Sequence, residues 1–143
     1  MAELNGVSIA LWRRKPNWEL FEIQKKCLAD VVARHKGHSA FICVVESTAE
    51  PPDDDIRKAS SAMISGHEKN LKAVALVIEG SGFRNAITRT VMSGIVMLIR
   101  SPAPIRFFDT PTSATAWVGS LLPSARSQLV EEIEALRVVL DTH

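Results

Sequence analysis

Cysteine is scarce in this chain: two in 143 residues, Cys27 and Cys43. Two thiols support neither a disulfide framework nor a multi-cysteine metal site. Net charge is nearly missing too. Seventeen Lys and Arg against sixteen Asp and Glu leave +1. That balance excludes the strong basic field of a non-specific nucleic-acid binder and the acidity of a solvating, disordered chain. Long apolar runs are absent. The longest, Val91 to Ile99, is interrupted by Ser93 and Gly94, whereas a membrane-spanning helix needs roughly 20 apolar residues. No membrane insertion is expected. Met1 to Gly6 has neither the charged region nor the apolar stretch of a signal peptide. With free thiols as well, the expected compartment is the cytoplasm.

Catalytic signatures are also lacking. There is no Gly-x-Ser-x-Gly elbow, no P-loop, no dinucleotide motif and no catalytic Cys/His pattern. His35 and His38 flank Gly37 at an expected helix end, and His67 and His143 have no partner at ligand spacing. Zinc needs three or four ligands, and no cluster offers them. We therefore expect no metal, no cofactor and no enzymatic activity.

What is present is the composition of one ordinary domain, 46% hydrophobic and 23% charged. Short apolar runs alternate with helical patterns. Val7 to Trp12 reads as a strand. Asn17 is positioned to cap a helix in which Leu20, Phe21, Ile23, Cys27, Leu28, Val31 and Val32 recur at helical spacing, with Gly37 as its stop. Ala40 to Val45 and Ala73 to Ile78 are apolar throughout and read as strands covered on both faces. Between them, Asp53, Asp54 and Asp55 are suited to start a second helix, which carries Ile56, Ala59, Met63 and Ile64 inward and frays near Gly66. A tight turn, Glu79-Gly80-Ser81-Gly82, leads into a third helix from about Phe83 to Ile99. Ile105 to Phe108 reads as a short strand. A short helix with Ala114, Trp117, Val118 and Leu121 follows, and a last helix starts at Pro123 and Ser124 and runs to about Leu140. This order predicts a layered α/β domain with about four strands, mostly parallel, and about four to five helices.

The strand Val74 to Ile78 running into Glu79-Gly80-Ser81-Gly82-Phe83, the apolar helix after it, and the ending Ile105-Arg106-Phe107-Phe108-Asp109-Thr110-Pro111 through Ala114 to Trp117 resemble the STAS superfamily. Within it the pattern resembles the SpoIIAA-like bacterial proteins. The resemblance covers about residues 5 to 121, with a C-terminal helix at about 124 to 141 beyond it. It implies a bacterial, non-enzymatic regulatory or binding domain. Regulatory members present a phosphorylatable Ser or Thr at the start of the helix after the third strand. Ser81 followed by Gly82 is a partial echo of that motif, without its preceding Asp.

Several surfaces are candidates for function. Gly80, Ser81 and Gly82 lie where an open α/β sheet usually binds ligands, and Arg84 and Arg89 follow within a turn or two. The bland reading is a sharp turn and a solvated face. The third helix is apolar nearly all round from Val91 to Ile99, so Met92 and Val96 lie either under the last helix or on a dimer face. Leu129, Ile133, Leu136 and Leu140 form a seam on the last helix, for its own domain or for a partner's helix in a homodimer. Trp12-Arg13-Arg14-Lys15, with Trp18 nearby, reads as a solvated basic edge. The leading expectation is a homodimeric domain that binds a protein or a small ligand near Ser81. A lipid or apolar-metabolite binder, with the second and third helices framing its pocket, is the alternative. An enzyme using Ser81, Glu79 or His67 comes third.

Overall fold

Three apolar runs build the centre of the sheet, and alternation along each run divides its side chains between two faces. In the computed structural model, residues 2–50, 52–67, 69–80, 90, 104–122 and 128–141 are described. The elements run β1 (Ala2–Leu4), β2 (Val7–Trp12), α1 (Trp18–Arg34), β3 (Ser39–Val45), α2 (Asp54–Gly66), β4 (Leu71–Ile78), β5 (Ile105–Phe108), α3 (Pro111–Leu121) and α4 (Leu129–Asp141). The five strands lie side by side in chain order. β1 is antiparallel to β2, and each later pair is parallel. The molecule is therefore a layered α/β fold with a mostly parallel sheet. Of the expected helix at about Phe83 to Ile99, Thr90 is described and is helical, and the rest lies outside the described residues.

β1 is a strand that the apolar runs do not announce. It turns into β2 through Asn5 and Gly6, both with positive φ (47° and 91°). Asn-Gly favours this tight hairpin because both central residues must adopt positive φ. Gly6 is further fixed by space, since a Cβ there would lie 2.6 Å from the His38 carbonyl oxygen.

On one face, Trp12, Phe41, Cys43, Val45, Leu76 and Ile78 pack with Phe21, Leu28 and Val32 of α1 and with Ile56, Met63 and Ile64 of α2. On the other face, Ile9, Leu11, Ile42, Val44, Ala73, Ala75 and Val77 pack with Ala114 and Val118 of α3 and Leu129 and Ile133 of α4. A register shift near Ser39 and Ala40 sets Ser39 opposite Leu71 but Ala40 opposite Ala73. The extra residue lets both Leu71 and Val74 join the first face. Burying a side chain such as Ile42 or Leu28, both 0% exposed, contributes about 1.5–3 kcal/mol.

α1 and α3 start on side-chain caps, whereas Asp53, expected to help start α2, stands at its N-cap without a side-chain capping bond. The Asn17 side chain accepts a hydrogen bond from the Leu20 N–H at 2.9 Å, and the Thr110 hydroxyl accepts one from the Ser113 N–H at 3.3 Å. α1, however, is rotated from its expected setting. Its buried residues are Phe21, Gln24, Leu28, Val31 and Val32, whereas Leu20 and Ile23 are exposed by 40% and 49%. The 21-24-28-31 series keeps the helical period, and Leu20 and Ile23 fall beside it. A polar residue, Gln24, thus occupies an inward position that an apolar-only pattern skips. Cys27 is only half-buried, with the Ser8 hydroxyl 3.6 Å from its sulfur.

Candidate functional site

The carboxyl ends of three parallel strands deliver charged residues to one place. β2 is followed by Arg13, β3 by Glu46, Ser47 and Thr48, and β4 by Glu79 and Gly80. Backbone hydrogen bonds carry the sheet one residue further: Glu46 N–H donates to the Trp12 carbonyl at 2.9 Å, and Glu79 N–H to the Val45 carbonyl at 3.0 Å. Both glutamates are therefore held by backbone. α4 supplies Arg137. Together Arg13, Glu46, Ser47, Thr48, Glu79 and Arg137 line an open polar cleft of about 400 Å³. Ligands of open α/β sheets bind at this end of the strands.

Arg137 clamps the two glutamates. Its Nη1 donates to Glu46 Oε2 at 2.6 Å and its Nη2 to Glu79 Oε2 at 2.7 Å. Arg13 grips Glu46 from the other side, Nε to Oε1 at 2.6 Å, and reaches Asp141 Oδ1 through Nη1 at 2.7 Å. The last turn of α4 is thereby tied to the ends of three strands. Thr48 donates its hydroxyl to the Arg13 carbonyl at 2.9 Å, which fixes the loop after β3. Glu46 is the most sheltered of these groups, with 12% of its side chain exposed against 19% for Arg137.

The charges suit the geometry. Burial alone would raise the Glu46 carboxyl, but hydrogen bonds and charge from Arg13 and Arg137 outweigh it and hold it below the usual carboxylate range. Arg137 is pushed above its ordinary value, first by the hydrogen bond to Glu79 and against the effect of burial. Glu46 and Arg137 therefore stay charged at neutral pH. Arrays of such charge-assisted bonds fix orientation well. An isolated exposed ion pair contributes only about 0–1 kcal/mol, so the shared, sheltered Glu46 matters more than the rim pair with Asp141.

Gly80 borders the cleft. Its φ is +92°, and a Cβ there would meet the Ser47 Cβ at 2.7 Å. This expected glycine is needed for the close approach of two strand-end loops as well as for a sharp turn. Glu79, named in sequence only as a weak catalytic candidate, is an ion-pair member. Ser81, Gly82, Arg84 and Arg89 of the expected ligand edge, and Met92 and Val96 of the expected apolar face, lie outside the described residues.

The seam on the last helix is covered by the chain's own sheet. Leu129 and Ile133 are 0% exposed, and Leu136 and Leu140 pack beside them against the same cluster. This places the seam inside the chain and not on an open dimer face, because the small side chains Ala73 and Ala75 admit α3 and α4 close to the strands. The basic edge is split. Arg13 joins the cleft, Lys15 pairs with Asp53 at 2.8 Å, Trp12 is buried and Trp18 is half-exposed. Burial pushes the Cys43 thiol up to about 12, with a smaller opposite effect from Trp12. That thiol is inert at neutral pH.

Arg13, Glu46 and Arg137 escaped the sequence reading as a site because 33 and 91 residues separate Glu46 from its two arginine partners. The available signal is positional: a charged residue stands directly after each of three apolar strands. Among the described residues no group of three or more His, Cys, Asp and Glu could hold a metal ion, and no helix is long and apolar enough to cross a membrane. No protein-family model matches the chain, and neither a curated protein nor a solved structure matches it.

Proposed function

We propose that this chain is a non-enzymatic binding domain of the STAS-like type, whose contact surface is the polar cleft at the carboxyl ends of β2, β3 and β4. The observation that carries the reading is the Arg13–Glu46–Arg137–Glu79 network. It presents fixed charges of both signs at the edge where parallel sheets receive ligands. Acid–base catalysis works best with groups that titrate near the operating pH. Glu46 and Arg137 are moved away from neutrality, in opposite directions. Their setting favours recognition: a bound group with charges of its own would exchange one ion pair for another with little reorganisation. The partner is a protein segment or a small ligand bearing such charges.

The test is a titration of isotope-labelled protein with amino acids, dicarboxylates and nucleotides, followed by backbone amide NMR. Shifts concentrated at Glu46 to Thr48, Glu79 and Gly80, and lost in Arg137→Met, support the reading. Turnover of any bound compound at a rate that depends on Glu46 or Glu79 overturns it. A second copy of the chain is the first protein partner to test. Val130 and Val138 of α4 are exposed by 40% and 61% on the helix that carries Arg137. A dimer mass by light scattering is the expected result, and a monomer mass at high concentration removes the homodimer.

A further inference from the structure

On the α1 and α2 side, the strand ends wall a small apolar cavity of about 50 Å³ with Trp12, Phe41, Val45 and Leu76. The chemistry still unused lies on the α4 side, in the polar cleft. A guanidinium carries five N–H donors. Arg13 spends Nε on Glu46 and one N–H of Nη1 on Asp141, with a longer bond of 3.4 Å from Nη2 to Glu46. Arg137 spends one N–H of Nη1 on Glu46 and one of Nη2 on Glu79. Both arginines line the cleft, and each keeps N–H groups with no acceptor among the described residues. Glu46 has no matching surplus, since it accepts at both oxygens. What the cleft still offers a ligand is donors.

The two acceptors on Arg13 are unequal. Glu46 is held by backbone at the end of β3, and 12% of its side chain is exposed. The Asp141 side chain is 66% exposed and meets Arg13 from beyond the cleft lining. It stands in the last turn of α4, which holds no basic residue. The negative end of the helix dipole disfavours a carboxylate there. An exposed pair of this kind is weak. Asp141 is therefore the replaceable partner.

We propose, on the footing that this cleft is the contact surface, that it takes an oxyanion, a carboxylate or phosphate group, on Arg13, and that Asp141 is the built-in competitor which the oxyanion displaces. The exchange leaves Arg13 with the same number of anionic partners. The incoming group is free of the helix-end penalty that Asp141 bears. Its oxygens can accept from Nη1 and Nη2 together, the forked geometry in which guanidinium holds carboxylate and phosphate. The Ser47 hydroxyl, exposed on the same wall, can donate to a further oxygen. A cation gains less, because two arginines already occupy the sheltered carboxylate of Glu46.

The probes are acetate, inorganic phosphate and methylammonium. Each is titrated at constant ionic strength into the isotope-labelled full chain, and backbone amide and arginine Nε–H signals are followed by NMR. Acetate or phosphate should move the Arg13 Nε–H signal and the amides of Glu46 to Thr48, and methylammonium should not. The oxyanion with the stronger response names the source, a carboxylate or a phosphate compound. Asp141→Asn, at an exposed position, should tighten that binding by about threefold to fivefold. Glu131→Gln removes the same charge from the other end of α4, about 15 Å away along the helix, and should leave the affinity unchanged. The proposal is overturned if neither oxyanion moves those signals, if methylammonium moves them equally, or if Asp141→Asn tightens binding no more than Glu131→Gln does. Should amino acids or nucleotides still move the cleft amides beside such a result, the cleft remains the contact surface and the oxyanion assignment alone falls. Should no titrant move them, both fall.

Discussion

Neighbouring residues at the strand ends face opposite environments. Trp12 and Val45 wall the apolar cavity, while Arg13 and Glu46, the next residue in each case, line the polar cleft. The alternation of a β-strand places them so. One side is filled by large side chains and left slightly hollow. The other sets Ala73 and Ala75 of β4 among its larger side chains and is closed by ion pairs to α4. The comparison teaches that one sheet edge offers two chemistries without any change of backbone. It also predicts that each side fails differently.

The largest effect should come from the apolar side. Phe41 is 1% exposed, and Phe41→Ala should cost about 3–5 kcal/mol in a denaturant titration. The alanine side should respond to the reverse change. Ala75→Leu inserts bulk under α3 and α4 and should cost about 1–3 kcal/mol. If enlarging Ala75 costs nothing, the two faces are not packed as differently as described.

The polar side is next. Arg137→Met leaves Glu46 and Glu79 without their shared donor and should lower stability by about 1–3 kcal/mol. Gly80→Ala should cost a similar amount, about 1–3 kcal/mol, from its positive φ and the approach to Ser47. Adding Ser47→Gly should restore part of that loss, and a strictly additive double mutant would remove the close-approach explanation.

Acid should narrow the contrast between the sides. The Glu46 carboxyl is depressed in the folded state. Its contribution is thus fully present above the unfolded value of about 4.3 and is lost as pH falls through the lower folded value. The stability gap between the native chain and Glu46→Gln should be open at about pH 6 and narrow as pH falls below the ordinary carboxylate value of about 4.3. The apolar side carries no such dependence. The smallest effect is chemical: at pH 8, iodoacetamide should label half-buried Cys27 well before Cys43.

Much of the fold can be read from the chain because its central strands are buried on both faces. Ala40 to Val45 and Ala73 to Ile78 then appear as unbroken apolar runs, which periodicity detects directly. β1 has no such signal. Three residues cannot show a period, and the clue lay in Asn5-Gly6, a hairpin turn read as mere sequence. Gln24 is hidden in the sequence for a related reason. The inward face of α1 shows as apolar spacing, and Gln24, a polar residue 5% exposed, interrupts that spacing. The polar cleft is half legible. Gly80 borders it, but Arg137 arrives from a distant helix, and only the three-dimensional path of α4 brings it to Glu46. Its partner residues look like ordinary solvated charges until the strand ends are aligned.

The chain-order arrangement of the strands has a kinetic consequence. Val7 meets Ala40, Ala40 meets Ala73, and Val74 meets Ile105. Each new pairing therefore closes a loop of roughly thirty residues, and the closure entropy is nearly the same every time. No strand must wait for a distant segment to be made. A ribosome adding about 5–20 residues per second would deliver one pairing every few seconds. The sheet can thus grow from its β1 edge in the order of synthesis, and α4, bearing Arg137, locks the strand ends only after all of them are in place.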